Sequence, residues 1–159
     1  MTIRTVTTAD YAAVEEMALA LHRSAVEARS DLYAPLTEFY TPELFRQWVG
    51  GEVCPAIWLL AEEDGAPVGI CLTRINETRG MRPGPEPCVD LLYVREAYRR
   101  RGIARALLEE TARRARASGC RTLTLAADGY NGEARRLYER FGMTPRQIWY
   151  EKELDAAEA

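Results

Sequence analysis

The sequence contains one histidine, His22, one lysine, Lys152, and four cysteines, of which no two form a C-x-x-C pair. These scarcities exclude chemistry. A zinc site needs clustered Cys and His ligands, and none are clustered here. A single His on a helical stretch, far from any nucleophile motif, argues against a Ser-His-Asp or Cys-His hydrolase. No apolar run approaches the ~20 residues of a membrane helix. The opening MTIRTVTTAD lacks the apolar centre of a signal peptide, so a cytoplasmic location with reduced, mostly buried thiols is expected. The net charge of −3 speaks against a general nucleic-acid binder. Both G-x-x-x-x-G-K-[ST] and G-x-G-x-x-G are missing, which removes the two commonest phosphate-binding fingerprints. The near absence of lysine among 21 basic residues reads as genome composition.

What is present is an ordinary globular composition, 47% hydrophobic and 28% charged over 159 residues. That is enough chain to bury one core, so a single domain over 1–154 with a frayed tail at 155–159 is expected. Hydrophobic periodicity predicts a strand at 2–6, a helix over 9–29 capped by Thr8 or Asp10, and a shorter helix over 42–49. AIWLLAEE (56–63) and VGICLTRI (68–75) form a hairpin through DGAP. NETRGMRPGPEP (76–87) is a loop. CVDLLYV (88–94) is an apolar strand broken only by Asp90. A helix follows from Ile103 to about Ser118, its buried stripe set by Ile103, Leu107, Leu108, Thr111, Ala112 and Ala115. Glu109–Arg113 and Glu110–Arg114 are i,i+4 pairs on its other face. RTLTLAA (121–127) is a strand, EARRLYERF (133–141) a helix, and QIWYEKEL (147–154) a last strand.

Charge is uneven along this order. Between Arg95 and Arg121 there are nine Arg against three Glu. Three of them, Arg99, Arg100 and Arg101, stand directly before Gly102 and the helix that begins at Ile103. A helix N-terminus is already the positive end of the macrodipole, so arginines there are unfavourable unless an anion joins them. A strand, a glycine-bearing loop and a helix start together suit phosphate, because main-chain N–H groups point at it. Gly102 permits close approach, and Ala104 keeps the next turn small.

The run VDLLYVREAYRRRGIARALLEETARRA resembles the signature of the GNAT superfamily of acyl-CoA-dependent N-acyltransferases. Leu92-Tyr93-Val94 stands as its hydrophobic-aromatic-Val triplet, and Arg99, Gly102 and Ala104 as Q/R-x-x-G-x-G/A. A second hallmark, N-x-x-A-x-x-x-Y before a Phe-Gly turn, is matched by Asn131, Ala134, Tyr138, Phe141 and Gly142. The order of elements agrees from Thr2 to about Leu154. The resemblance implies an α/β (α+β) fold: a mixed, mostly antiparallel sheet of about six or seven strands, helices on both faces, and two splayed parallel central strands.

It also implies the anion, the pyrophosphate of coenzyme A, held by the main chain from Arg99 through Arg100, Arg101, Gly102, Ile103 and Ala104 to Arg105. The arginine side chains would add contacts to the 3′-phosphate or stay solvated. The pantetheine arm would lie like an added strand along Leu92, Tyr93 and Val94. A main-chain N–H near Leu92 or Val94 would polarise the thioester carbonyl. Asn131 would bond the arm, within the motif that Ala134 completes. Tyr138 lies seven residues beyond Asn131, two turns at about 100° per residue, so both share a face. The resemblance makes Tyr138 the general acid toward the departing thiolate, where otherwise it is a core tyrosine.

Asp90 is either a general base, acting directly or through water, or a structural carboxylate. Strand alternation puts it with Leu92 and Val94 on one face, unless a bulge intervenes. The function implied is acetyl transfer from acetyl-CoA, without metal, to a primary amine of a small molecule or peptide, by direct attack in a ternary complex. No partnership with nucleic acid or membrane is implied, and a homodimer is a family-level option. The alternative is a catalytically silent acyl-CoA-binding module for sensing or scaffolding. Asn131, Tyr138 and Asp90 together favour the enzyme, since binding alone needs neither of the last two. The acceptor would be shaped by 21–40 and 76–87. There Glu27, Asp31, Glu38, Glu77 and Glu86 are either attractors for a cation or solvated charges, and Tyr33, Phe39 and Tyr40 wall the pocket or pack as core.

Overall fold

A computed structural model describes residues 1–77 and 84–152. Five strands form one sheet in the order β1 (Thr2–Thr5), β2 (Ala56–Glu63), β3 (Ala66–Asn76), β4 (Glu86–Val94), β5 (Thr124–Leu125). The first four are antiparallel in succession, and β5 joins β4 in parallel. The helices are α1 (Tyr11–Ala28), α2 (Pro42–Val49), α3 (Ile103–Ala117) and α4 (Gly132–Arg140). This is the mixed α/β architecture expected, with fewer strands. No helix among the described residues is long and apolar enough to cross a membrane.

Local chemistry explains the elements. Asp64 and Gly65 both take positive φ, 51° and 77°, giving the twist that a tight β2–β3 hairpin requires. Pro42 begins α2, and the Thr41 hydroxyl accepts from the Leu44 N–H at 3.1 Å. Asp10 does not cap α1 through its side chain. Its carboxylate instead turns back to the Thr7 N–H (2.7 Å) and takes two bonds from Arg4 (2.8 and 2.7 Å).

Both sheet faces are covered. Leu59, Ala61, Val68 and Cys71 pack against Ile103, Leu107 and Leu108 of α3. On the other face Trp58, Leu60, Ile70 and Leu72 meet Val14 and Met17 of α1 and Phe45 of α2. Each fully buried aliphatic side chain of this kind contributes roughly 1.5–3 kcal/mol of transfer free energy. On α3 the buried stripe is as expected, except that Ala112 is half-buried. Of the two outer pairs, Glu110–Arg114 forms as expected, whereas Arg113 also turns to Glu110 and Glu109 takes Arg105, one turn earlier. Arg114 also reaches the Thr5 hydroxyl, which draws it toward β1 and Glu110. All four cysteines are unbridged; Cys71 and Cys120 are buried, Cys54 and Cys88 half-buried.

Three expectations need correction. The strand at 121–127 shrinks to Thr124–Leu125, because β5 pairs with β4 only at Cys88↔Thr124 and Val89↔Leu125. The expected last strand is not formed over 147–152, and its final residues, 153–154, lie outside the described residues, as does the tail to 159. Trp149 is 84% exposed, and nothing in the described sheet covers it. Finally, β4 carries a bulge. Leu72 pairs with Leu91 but Thr73 with Val89, so Asp90 is the extra residue. Of the loop expected at 76–87, residues 78–83 lie outside the described residues.

Candidate active site

The site is built where β4 parts from β5. Beyond Val89 the two strands no longer pair, so the β5-facing edge of β4 is open. The Arg95 N–H donates to Val68 on β3 at 2.9 Å. Main-chain groups alternate sides along a strand, so the N–H groups of Leu92 and Val94 point into the opening and those of Tyr93 and Leu91 toward β3. The Val94 carbonyl agrees: it accepts from Arg99 Nε at 3.1 Å rather than from β3.

The arginine loop closes one end of this opening. The first intrahelical bond of α3 is Ala106 N–H to the Gly102 carbonyl, 3.0 Å. From Arg100 to Arg105 no main-chain N–H finds an acceptor among the described residues. An ordinary helix leaves about four such groups, so this run is two residues longer. Arg100 (φ 65°) and Gly102 (φ 82°) are both left-handed. Left-handed residues next to a right-handed helix start fold the N–H groups into a concavity for an anion. The strain at Arg100, a residue with a Cβ, is on the order of 1–2 kcal/mol.

The three arginines divide. Arg99 folds back to Val94 and lies over the Tyr93 ring, 5.6 Å from its centroid. Arg101 stacks on Tyr98 at 5.2 Å and pairs with Glu63 at 3.3 Å. Arg100 is 85% exposed, with a loose 3.8 Å approach to Glu133. Two guanidinium groups thus brace the loop, and the third is available to an incoming anion. Arg105 pairs with Glu109 on the exposed side of α3.

On α4, Asn131 is the N-cap: its side-chain oxygen accepts from the Ala134 N–H at 3.1 Å. Tyr138 lies two turns on, half-buried against the α3-side core. Its hydroxyl has no hydrogen-bond partner among the described residues and is not sealed from solvent. Burial first, and then the neighbouring Cys71 thiol, push its pKa above the usual phenol value. It therefore keeps its proton through the neutral range, as a proton donor must.

The bulge overturns the face expected for Asp90. Leu92 and Val94 belong to the α3-side core, while Leu91 and Tyr93 belong to the α1/α2 side. Asp90 lies with the latter, because its carboxylate is bonded by Arg74 Nε and, at 2.7 Å, by Arg74 Nη2. Its side chain is only 23% exposed, although the residue as a whole is exposed. The bulge thus opens the main chain and turns the carboxylate to the opposite face. Arg74 is a neighbour that sequence reasoning missed, and Tyr40, named there as pocket wall or core, lies near the pair. Tyr40 is core, and Glu15 fixes its backbone by accepting from the N–H groups of Phe39 (2.5 Å) and Tyr40 (2.9 Å). Tyr33 and Phe39 are half-buried beside His22, whose Nε2 lies 2.8 Å from the Ala34 carbonyl. Of the acids considered for a cation, Asp31 pairs with Arg29 and Glu86 with Arg146, while Glu27, Glu38 and Glu77 are exposed.

The family model described as "Acetyltransferase (GNAT) family" matches residues 19–143. The chain belongs to the GNAT acetyltransferase family. Among solved structures, a mutant of the BH1408 protein from Bacillus halodurans superposes with TM-score 0.88 at 22% identity, over 97% of this chain and 99% of that one. A ribosomal-protein-alanine N-acetyltransferase from Brucella melitensis superposes at 0.68, with 21% identity over 97% and 100%. An aminoglycoside 6′-N-acetyltransferase from Acinetobacter haemolyticus gives 0.64, with 19% identity over 98% and 100%. Identities this low establish the GNAT fold alone. No curated protein sequence matches at a significant level.

Proposed function

We propose that this GNAT chain is an acetyl-CoA-dependent N-acetyltransferase, with 1–154 as its single catalytic domain and a primary amine of a small molecule or peptide as acceptor. The observation that carries the reading is the run of unpartnered N–H groups from Arg100 to Arg105 beside the open edge of β4. The donor set fits a diphosphate: concave, main-chain, and rimmed by the exposed Arg100. Bound there, acetyl-CoA would supply an acetyl group already activated as a thioester. The Leu92 and Val94 N–H groups hold the arm along β4, and one of them stabilises negative charge on the carbonyl oxygen as the amine attacks. Tyr138 donates its proton to the leaving sulfur. Asp90, tied to Arg74, offers a fixed negative charge that draws the ammonium into place and takes up its proton through water. Asn131 caps α4 through its oxygen and keeps its amide N–H groups for the arm.

Thiol release from acetyl-CoA across a panel of amines tests this reading. Tyr138→Phe is expected to lower kcat about 100-fold, the lower end of general-acid effects, with CoA affinity unchanged. An unchanged rate removes the general-acid role. CoA binding without release on any amine identifies a silent acyl-CoA-binding module instead.

A further inference from the structure

On the α1/α2 face of the sheet, beside the Asp90 bulge, three hydrogen-bond donors lack partners among the described residues. Trp58 Nε1 is sealed from solvent and bonds nothing. Tyr40 is 7% exposed, and its hydroxyl makes no bond, although its main chain is fixed by Glu15 and by the Tyr11 hydroxyl at 2.8 Å. Arg74 gives Nε and Nη2 to Asp90, which leaves Nη1 without a partner on a side chain 43% exposed.

Sheet register brings the three together. Trp58 pairs with Leu72, and Ala56 with Arg74, so Trp58 and Arg74 are diagonal neighbours on one face. The Tyr40 ring centre lies 5.7 Å from that of Trp58, and Tyr40 feels the charges of both Asp90 and Arg74. Donors are in surplus here, since Arg74 already engages the Asp90 carboxylate. A buried indole N–H with no acceptor is costly, and native structures rarely leave one without a role.

Building on the acetyltransferase reading, we propose that the acceptor amine also carries an anionic oxygen group, a carboxylate or a phosphate, held by Arg74 and the Tyr40 hydroxyl, while its ammonium end meets Asp90. The Arg74–Asp90 pair presents both signs side by side, which matches a molecule bearing both. A purely cationic acceptor would have Asp90 for its charge but would meet Arg74 as a like charge and leave its free donor unused.

The test uses the purified chain, acetyl-CoA and matched acceptors: amino acids against their carboxamides, aminoalkyl phosphates against amino alcohols, and a polyamine. The anionic member of at least one pair is expected to be favoured about tenfold or more in kcat/KM, the scale of a charge-assisted bond. The arm that shows it tells carboxylate from phosphate. Arg74→Gln and Tyr40→Phe should each erode the preference by about threefold or more through acceptor KM, leaving KM for acetyl-CoA unchanged. Tyr40→Phe keeps the ring in the core and guards against an Arg74 variant that folds poorly. Equal or better turnover of the neutral members, preference for the polyamine, or a preference that survives both substitutions overturns this inference alone. CoA binding with no release on any acceptor overturns the acetyltransferase reading and this inference with it.

Discussion

β2 and β3 are joined over eight residue pairs, whereas β4 and β5 are joined over two. The helices differ in the same sense. α3 buries Ile103, Leu107, Leu108, Thr111 and Ala115, while α4 buries no residue fully. The two regions meet at the site. A strand paired along both edges has no N–H left for a ligand, so a cleft that binds by main chain has to form where pairing stops. The tight half holds β4 and the arginine loop in place. The loose half carries Asn131 and Tyr138 on a helix whose packing is partial. In this arrangement, bound acetyl-CoA would bridge the two halves and stabilise the second more than the first.

Substitutions can break or sharpen this contrast. The largest effect is expected from Leu107→Ala, a fully buried side chain on α3. It should cost about 2–5 kcal/mol in urea unfolding, against less than about 1 kcal/mol for Leu137→Ala on α4. Equal losses would erase the distinction between the halves.

Next comes Asp10→Asn, which removes a charge held by Arg4 and by the Thr7 N–H. The Arg4 hydrogen bonds, opposed by burial, hold the Asp10 pKa well below the ordinary carboxylate range. A depressed folded-state value means that the contribution is complete above the unfolded pKa and lost as pH falls toward the folded one. The variant should therefore lose on the order of 1–2 kcal/mol near neutral pH. The gap to the parent should close as pH falls toward ~2. A gap that widens on acidification would contradict the assignment.

The smallest global effect is expected from Asn131→Ala. Loss of the cap should destabilise α4 by about 1 kcal/mol. Because α4 is the weaker unit, amide exchange there should rise about fivefold. Global stability should shift by less than about 0.5 kcal/mol, and added CoA should slow α4 exchange more than that of α3. A drop in global stability as large as the local one would show that the halves unfold together.

How much was legible in advance follows the same division. α2 and β2 fall on the expected residues, and α3 ends one residue early, because caps, turn residues and periodicity are written locally. The arginine loop was legible too: Gly102 ahead of an amphipathic run specifies a helix start with unpartnered N–H groups, whatever surrounds it. The exposed segment at 147–152 was misread because alternation says that a stretch can be a strand, not that an edge is there to receive it.

By itself, then, the sequence determined the helices, the strands from β1 to β4, their order, and the turn of unpartnered N–H groups before α3, since each depends on residues close together in the chain. Tertiary structure alone decided which way Asp90 faces, that Arg74 claims it, and that Tyr40 and Trp58 stand beside the pair. A bulge is a mismatch between two strands, and neither strand read singly records it.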